Sequence, residues 1–155
     1  MHVTYEELLD KANEEGIEIF ENDHIGKLKG LYVDNTITLN SSIGTESERK
    51  CVLVEELGHH HTTIGDILDQ SDVSNRKQER YARAWGYRKL VGIIDLVNAY
   101  KHGVRNRFEL AEYLGVTEEY IDEVLIYYKQ KYGLQYQIDN YLICFEPLSV
   151  LEIWE

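Results

Sequence analysis

Residues 54–61 read Val-Glu-Glu-Leu-Gly-His-His-His. Inside them, Glu55-Glu56-Leu57-Gly58-His59 differs at one position from His-Glu-x-x-His, a helical spacing that grips zinc. Glu56 and His59 stand where that pattern puts its glutamate and its last histidine, and Glu55 replaces the first histidine. A helix turns about 100° per residue, so residues four apart share a face, about 40° apart and one turn removed. Two ligands at that spacing hold one ion, and Glu56, next to that face, is placed as a general base on a water. The chemistry implied is metal-assisted hydrolysis.

The three histidines 59–61 point about 100° apart and cannot all reach one ion from a straight helix. His59 is the expected ligand because it pairs with Glu55 at i, i+4. His60 pairs with Glu56 by the same spacing, which gives an alternative site. His61 falls at the helix end, where a cation or a donor is favoured. A polar helix end holding no metal is the competing reading. Gly58 costs about 1 kcal/mol against alanine in a helix interior. A close approach by another segment or by substrate would account for it.

A catalytic zinc site needs a third protein ligand and an open position for water. Glu79 is the expected third ligand. It opens the periodic part of a long helix, and Ala82 and Gly86 repeat its face at i+3 and i+7. That face is small, and a carboxylate on it needs a partner, which a metal would supply. The plain alternative is an exposed Glu79 paired with Arg83 at i+4. Asp66 and Asp69 are lesser candidates.

Working outward, Thr4-Tyr5-Glu6-Glu7 is a capping box that opens a helix over 5–15, with Tyr5, Leu8, Leu9 and Ala12 facing inward. Residues 17–20, 28–33 and 36–39 are β-like, and Asp34-Asn35 reads as a hairpin turn. Thr45-Glu46-Ser47-Glu48 is a second capping box, opening the motif helix through about His61 with Leu53 and Leu57 on its buried face. Residues 62–73 read as a loop, and one helix is expected from 74 to 100. Helices at 107–114 and 118–131 follow, then a hairpin of 134–138 and 141–145 around Asp139-Asn140, ended by Pro147. The expectation is one α+β domain over 1–155, with a metal-site core at 1–103 and a C-terminal part at 104–155 packed as one unit with it.

Composition narrows the function. The chain has 155 residues, 43% of them hydrophobic, and no apolar run near the roughly 20 residues of a membrane helix. No basic segment followed by an apolar one opens it, so a cytoplasmic address is expected. Cys51 and Cys144 lack metal-ligand spacing and read as reduced, buried thiols. Net charge is −12, from 16 basic and 28 acidic residues, which disfavours nucleic acid as a ligand. The basic residues Arg76 to Lys89 are interleaved with other types and read as a solvated helix face. Leu110, Ala111, Leu114, Val116, Ile121 and Val124 fit a helix-turn-helix core. Residues 109–124, however, hold six acids and no Lys or Arg, the wrong sign for phosphate.

Taken together, Glu55 to His59, Glu79 with Ala82, the hairpin before the motif helix, Phe108 to Val116, Tyr127-Tyr128 and Tyr132-Gly133 resemble the ImmA/IrrE family of metallo-endopeptidases, found largely in prophages and integrative elements. The resemblance covers roughly residues 5–133. It implies a zincin-like metallopeptidase core of helices and a small antiparallel sheet, followed by a helical C-terminal half. It implies a hydrolase whose substrate is a specific protein, typically a helix-turn-helix repressor of the mobile element. His59 and Glu79 would be metal ligands and Glu56 the general base, with Glu55 in the place of the first histidine. A catalytically lapsed protein that binds a repressor or antitoxin-like partner is the alternative. Two imidazoles and one carboxylate leave Zn²⁺ with about one positive charge, whereas two carboxylates and one imidazole leave it about neutral. A neutral site acidifies water less and makes Mn²⁺ more competitive. Metal binding with weaker peptidase activity is therefore expected.

Overall fold

The computed structural model describes residues 2–62 and 72–154. Thr4 caps α1 (Tyr5–Glu14): its hydroxyl accepts from the Glu7 amide at 3.1 Å, and the Glu7 carboxylate accepts from the Thr4 amide. Leu8 and Ala12, one turn apart, are the buried face of this helix. Three strands follow, β1 (Glu18–Asn22), β2 (Gly30–Val33) and β3 (Thr36–Asn40), ordered β1-β3-β2. Asp34 and Asn35 take φ of 48° and 59°, closing the expected two-residue turn between β2 and β3. The turn sets Tyr32 opposite Ile37 and Gly30 opposite Leu39. Ile37 and Leu39 are fully buried, so Gly30 and Tyr32 share the inward face while Leu31 and Val33 turn outward.

This sheet is mixed rather than antiparallel as expected, because β1 runs parallel to β3 with Glu18 opposite Thr36. The chain reverses once into β2 and again into β3, so β1 and β3 point the same way. β3, which carries the fully buried pair, takes the centre. Asn40 at its end is buried yet satisfied. Its amide donates to the Gly26 and Leu28 carbonyls at 3.1 and 2.9 Å, and its oxygen accepts from the Ser42 amide at 2.9 Å.

The Thr45 hydroxyl accepts from the Glu48 amide at 3.1 Å at the start of α2 (Glu46–Thr62). Leu53, Val54 and Leu57 of α2 are fully buried. Most of the loop expected at 62–73, with Asp66 and Asp69, lies outside the described residues. The single helix expected over 74–100 is two, α3 (Asp72–Leu90) and α4 (Ile93–Lys101). Gly92 is extended between them (ψ 163°), and its amide donates to the Asp95 carboxylate at 2.8 Å. Glycine is costly inside a helix, and an acid in the first turn favours a new start there.

Contacts group the chain into two compact units, Val3–Lys89 and Leu90–Glu155 with residues 1–2, so α4 goes with the C-terminal unit. That unit continues with α5 (Arg107–Leu114), α6 (Glu118–Tyr132) and an antiparallel sheet of β4 (Gln135–Ile138), β5 (Tyr141–Phe145) and β6 (Leu148–Glu152). β6 was not expected: Pro147 sits in the turn between β5 and β6, where it interrupts no ladder. Gly115 takes φ 68° between α5 and α6, and all six residues of the helix-turn-helix core are buried. Arg107 lies on the acids of α6, 2.6 Å from Asp122 and 3.0 Å from Glu118. Cys51 is buried and Cys144, against expectation, only half-buried. Among the described residues no helix is long and apolar enough to cross a membrane.

Tyr128 ties the C-terminal unit together. Its ring stacks on Phe145 at 5.7 Å, and its buried hydroxyl donates to the Val91 carbonyl at 2.7 Å. Tyr128→Phe keeps the ring and leaves that carbonyl unpaired, so it should destabilise the protein by about 1–3 kcal/mol. Urea unfolding measures this, and an unchanged midpoint would mean that the carbonyl has another partner.

Candidate metal centre

Glu55 and His59 lie one turn apart on α2, and Glu79 lies on α3. The structure brings these three together: one donor atom from each lies within 4.8 Å of the other two, and among the described residues no other such group of three occurs. His59 Nε2 is 3.2 Å from Glu79 Oε1. Ligands around a tetrahedral zinc at 2.0–2.2 Å stand roughly 3.4 Å apart. The His59–Glu79 pair already has that separation, and Glu55 needs only a small inward movement. One imidazole and two carboxylates form a donor set suited to a divalent ion.

The approach of α3 to α2 depends on Gly58. A Cβ at this position would lie 2.9 Å from the Ala82 carbonyl carbon and closer still to its oxygen. Ala82 is fully buried, and Gly86 is buried one turn on. The small face inferred from sequence is thus the surface that meets α2, with Glu79 at its edge. The close approach that Gly58 called for comes from a helix backbone.

Glu56 is buried beside the three donors, and its Oε2 has no hydrogen-bond partner among the described residues. Burial, then the charges of Glu55 and Glu79, push its pKa up to about 7. Gly30 on β2 makes room for it: a Cβ there would lie 3.0 Å from Glu56 Cγ and 2.7 Å from Val52 Cγ1. The sequence reading passed over Gly30, although a glycine in a strand often marks such a close approach.

Arg83 is the second residue whose role was not foreseen. The i+4 pair with Glu79 is present, Arg83 Nη2 lying 3.8 Å from Glu79 Oε2. Arg83 also donates from Nε to Glu55 Oε1 at 3.2 Å. That contact crosses from α3 to α2, and no spacing within one helix reveals it.

His60 and His61 point away from the three donors. His60 Nδ1 is 2.7 Å from the Tyr32 hydroxyl, and its Nε2 is 3.9 Å from Glu15. The alternative pairing of His60 with Glu56 is not among the contacts His60 makes here. His61 stacks on Trp85 at 4.6 Å and sits 3.0 Å from Glu15. Burial lowers the His61 pKa despite Glu15, which favours the donor over the cation at this helix end.

No family model matches the chain, and no curated protein matches it. The chemical reading therefore stands on the geometry of these side chains.

Alanine normally stabilises a helix interior by about 1 kcal/mol over glycine. At Gly58 the sign should reverse. Gly58→Ala must push α3 off α2, costing about 1–3 kcal/mol as other overpacked sites do. It should also part Glu79 from His59 and weaken metal binding. Thermal unfolding and a metal titration read the two effects, and a stabilised Gly58→Ala would refute the close approach.

Proposed function

We propose that the chain is a cytoplasmic metal-dependent endopeptidase of the ImmA/IrrE type, with a zincin-like core, acting on a specific protein such as a helix-turn-helix repressor. The observation that supports this best is the convergence of Glu55, His59 and Glu79 from two helices beside the buried Glu56, whose Oε2 has no hydrogen-bond partner among the described residues. Glu55, His59 and Glu79 would hold Zn²⁺ or Mn²⁺. Such an ion supplies Lewis-acid polarisation of the scissile carbonyl and of a water nucleophile. Glu56 takes the water proton on its carboxylate and delivers it to the leaving amine, a role for which a pKa near neutrality is suited. His59 needs its Nε2 unprotonated to serve, and its neighbour Glu79 holds the ring from the α3 side.

The second reading is a protein that binds a repressor or antitoxin-like partner without cleaving it. It is favoured by the pairing of Glu55 Oε1 with Arg83, which gives this carboxylate a cation from the protein itself. The two readings part on one substitution. Metal content by mass spectrometry should be near stoichiometric in the wild type and lost in both His59→Ala and Glu79→Ala. Glu56→Gln should keep the metal and lose cleavage of a peptide library by about a hundredfold or more, as expected for a removed general base. Retained cleavage in Glu56→Gln would remove Glu56 from the chemistry. Metal without any cleavage in the wild type would favour the binding protein.

A further inference from the structure

The exchange of a neutral imidazole for a carboxylate at position 55 adds one negative charge to the ligand set. Taken alone, that charge would leave a bound divalent ion about neutral and poor at acidifying water. The structure places a fixed cation against that same carboxylate. Arg83 Nε lies 3.2 Å from Glu55 Oε1, and Arg83 Nη2 lies 3.8 Å from Glu79 Oε2. The guanidinium thus touches both carboxylates of the donor group and stays charged at any working pH.

The oxygens it uses matter. On Glu79, Arg83 faces Oε2, while His59 Nε2 is 3.2 Å from Oε1. The two cation-facing sides of this carboxylate are separate, so one oxygen can ligate an ion while the other stays with the arginine. On Glu55, Arg83 takes Oε1 and leaves Oε2. Arg83 itself is 53% exposed, so its stem fills no core space and its removal opens no cavity. Its contribution is charge rather than packing.

We propose that Arg83 compensates charge at this site by offsetting Glu55. An ion held by Glu55, His59 and Glu79 then keeps about the residual positive charge it would have between two imidazoles and one carboxylate. This rests on the metal-site reading above and sharpens it: the Glu55 position is half of a Glu55–Arg83 unit that is neutral as a whole. The sequence alone led to an expected neutral ion and weak chemistry, and the interhelical pair changes that sum. The cation also opposes ion entry, so this arrangement trades metal affinity for acidity at the ion.

The test is a competition titration of the metal-free, full-length protein with Zn²⁺ and with Mn²⁺, for the wild type, Arg83→Gln, Arg83→Met and Arg83→Lys. Circular dichroism confirms folding of each. Loss of a unit positive charge a few ångströms from a divalent ion in a solvated site should tighten binding about tenfold. Arg83→Gln and Arg83→Met should both show this gain. The gain should be equal for the two ions, which carry the same charge, and should shrink as salt is raised. Arg83→Lys keeps the charge and should bind like the wild type. Weaker binding in Arg83→Gln and Arg83→Met, or a changed preference between the ions, would overturn the proposal by showing that Arg83 orients Glu55. Unchanged affinity would overturn it as well. If the wild type and every variant bind neither ion, the metal site itself falls, and this inference with it; wild-type binding without the gain refutes the inference alone.

Discussion

The missing side chain at Gly58 lets the Ala82 carbonyl rest against α2, and the other site contacts follow from that approach. Glu79 lies one turn before Arg83 on α3, and only a short interhelical distance lets the first meet His59 and the second meet Glu55. Backbone against backbone is a hard contact, because neither side can rotate away as a side chain would. The donor positions are therefore set by regular elements rather than by loop conformation, the condition under which a constellation holds its geometry. Gly30 makes the corresponding allowance on the strand side, where β2 lies against Glu56 and Val52.

The charges of Glu55 and Glu79 act on Glu56, and the structure relieves the repulsion among the three in different ways. Glu55 pairs with Arg83, Glu79 faces His59 as well as Arg83, and Glu56 is held near the point of protonation by burial. These three solutions separate the roles. The two groups that face cationic partners suit metal ligation. The buried one gains proton affinity, as proton transfer requires. Environment, not residue type, distinguishes three glutamates that look alike in the sequence.

What the sequence made legible was what local spacing encodes. The capping box at Thr4, the Thr45 hydroxyl on the Glu48 amide, the Asp34-Asn35 turn and the buried stripe Leu110 to Val124 are each fixed by neighbours within a few residues, and each lies where expected. The face of α3 holding Ala82 and Gly86 was legible for the same reason. What escaped depends on partners distant along the chain. The parallel pairing of β1 with β3, the strand after Pro147 and the Arg83–Glu55 contact leave no period in the sequence. The break at Gly92 was readable in principle, since a glycine followed three residues later by an acid can end one helix and start another. The strong helical pattern on both sides concealed it.

The C-terminal unit bears on function through its charge. Its helix pair has the buried pattern of a helix-turn-helix, which alone would suggest DNA. Pattern specifies packing, however, and surface charge specifies the partner. The first turns of α6 hold Glu118, Glu119, Asp122 and Glu123, and Arg107 is engaged by two of them. An arginine neutralised in this way has little attraction left for a phosphate, and the remaining acids repel it. The same acidic surface is no obstacle to a protein ligand, least of all to a basic one. An acidic surface of this kind attracts basic protein surfaces and repels phosphate, so its charge selects among ligands that its packing pattern cannot tell apart.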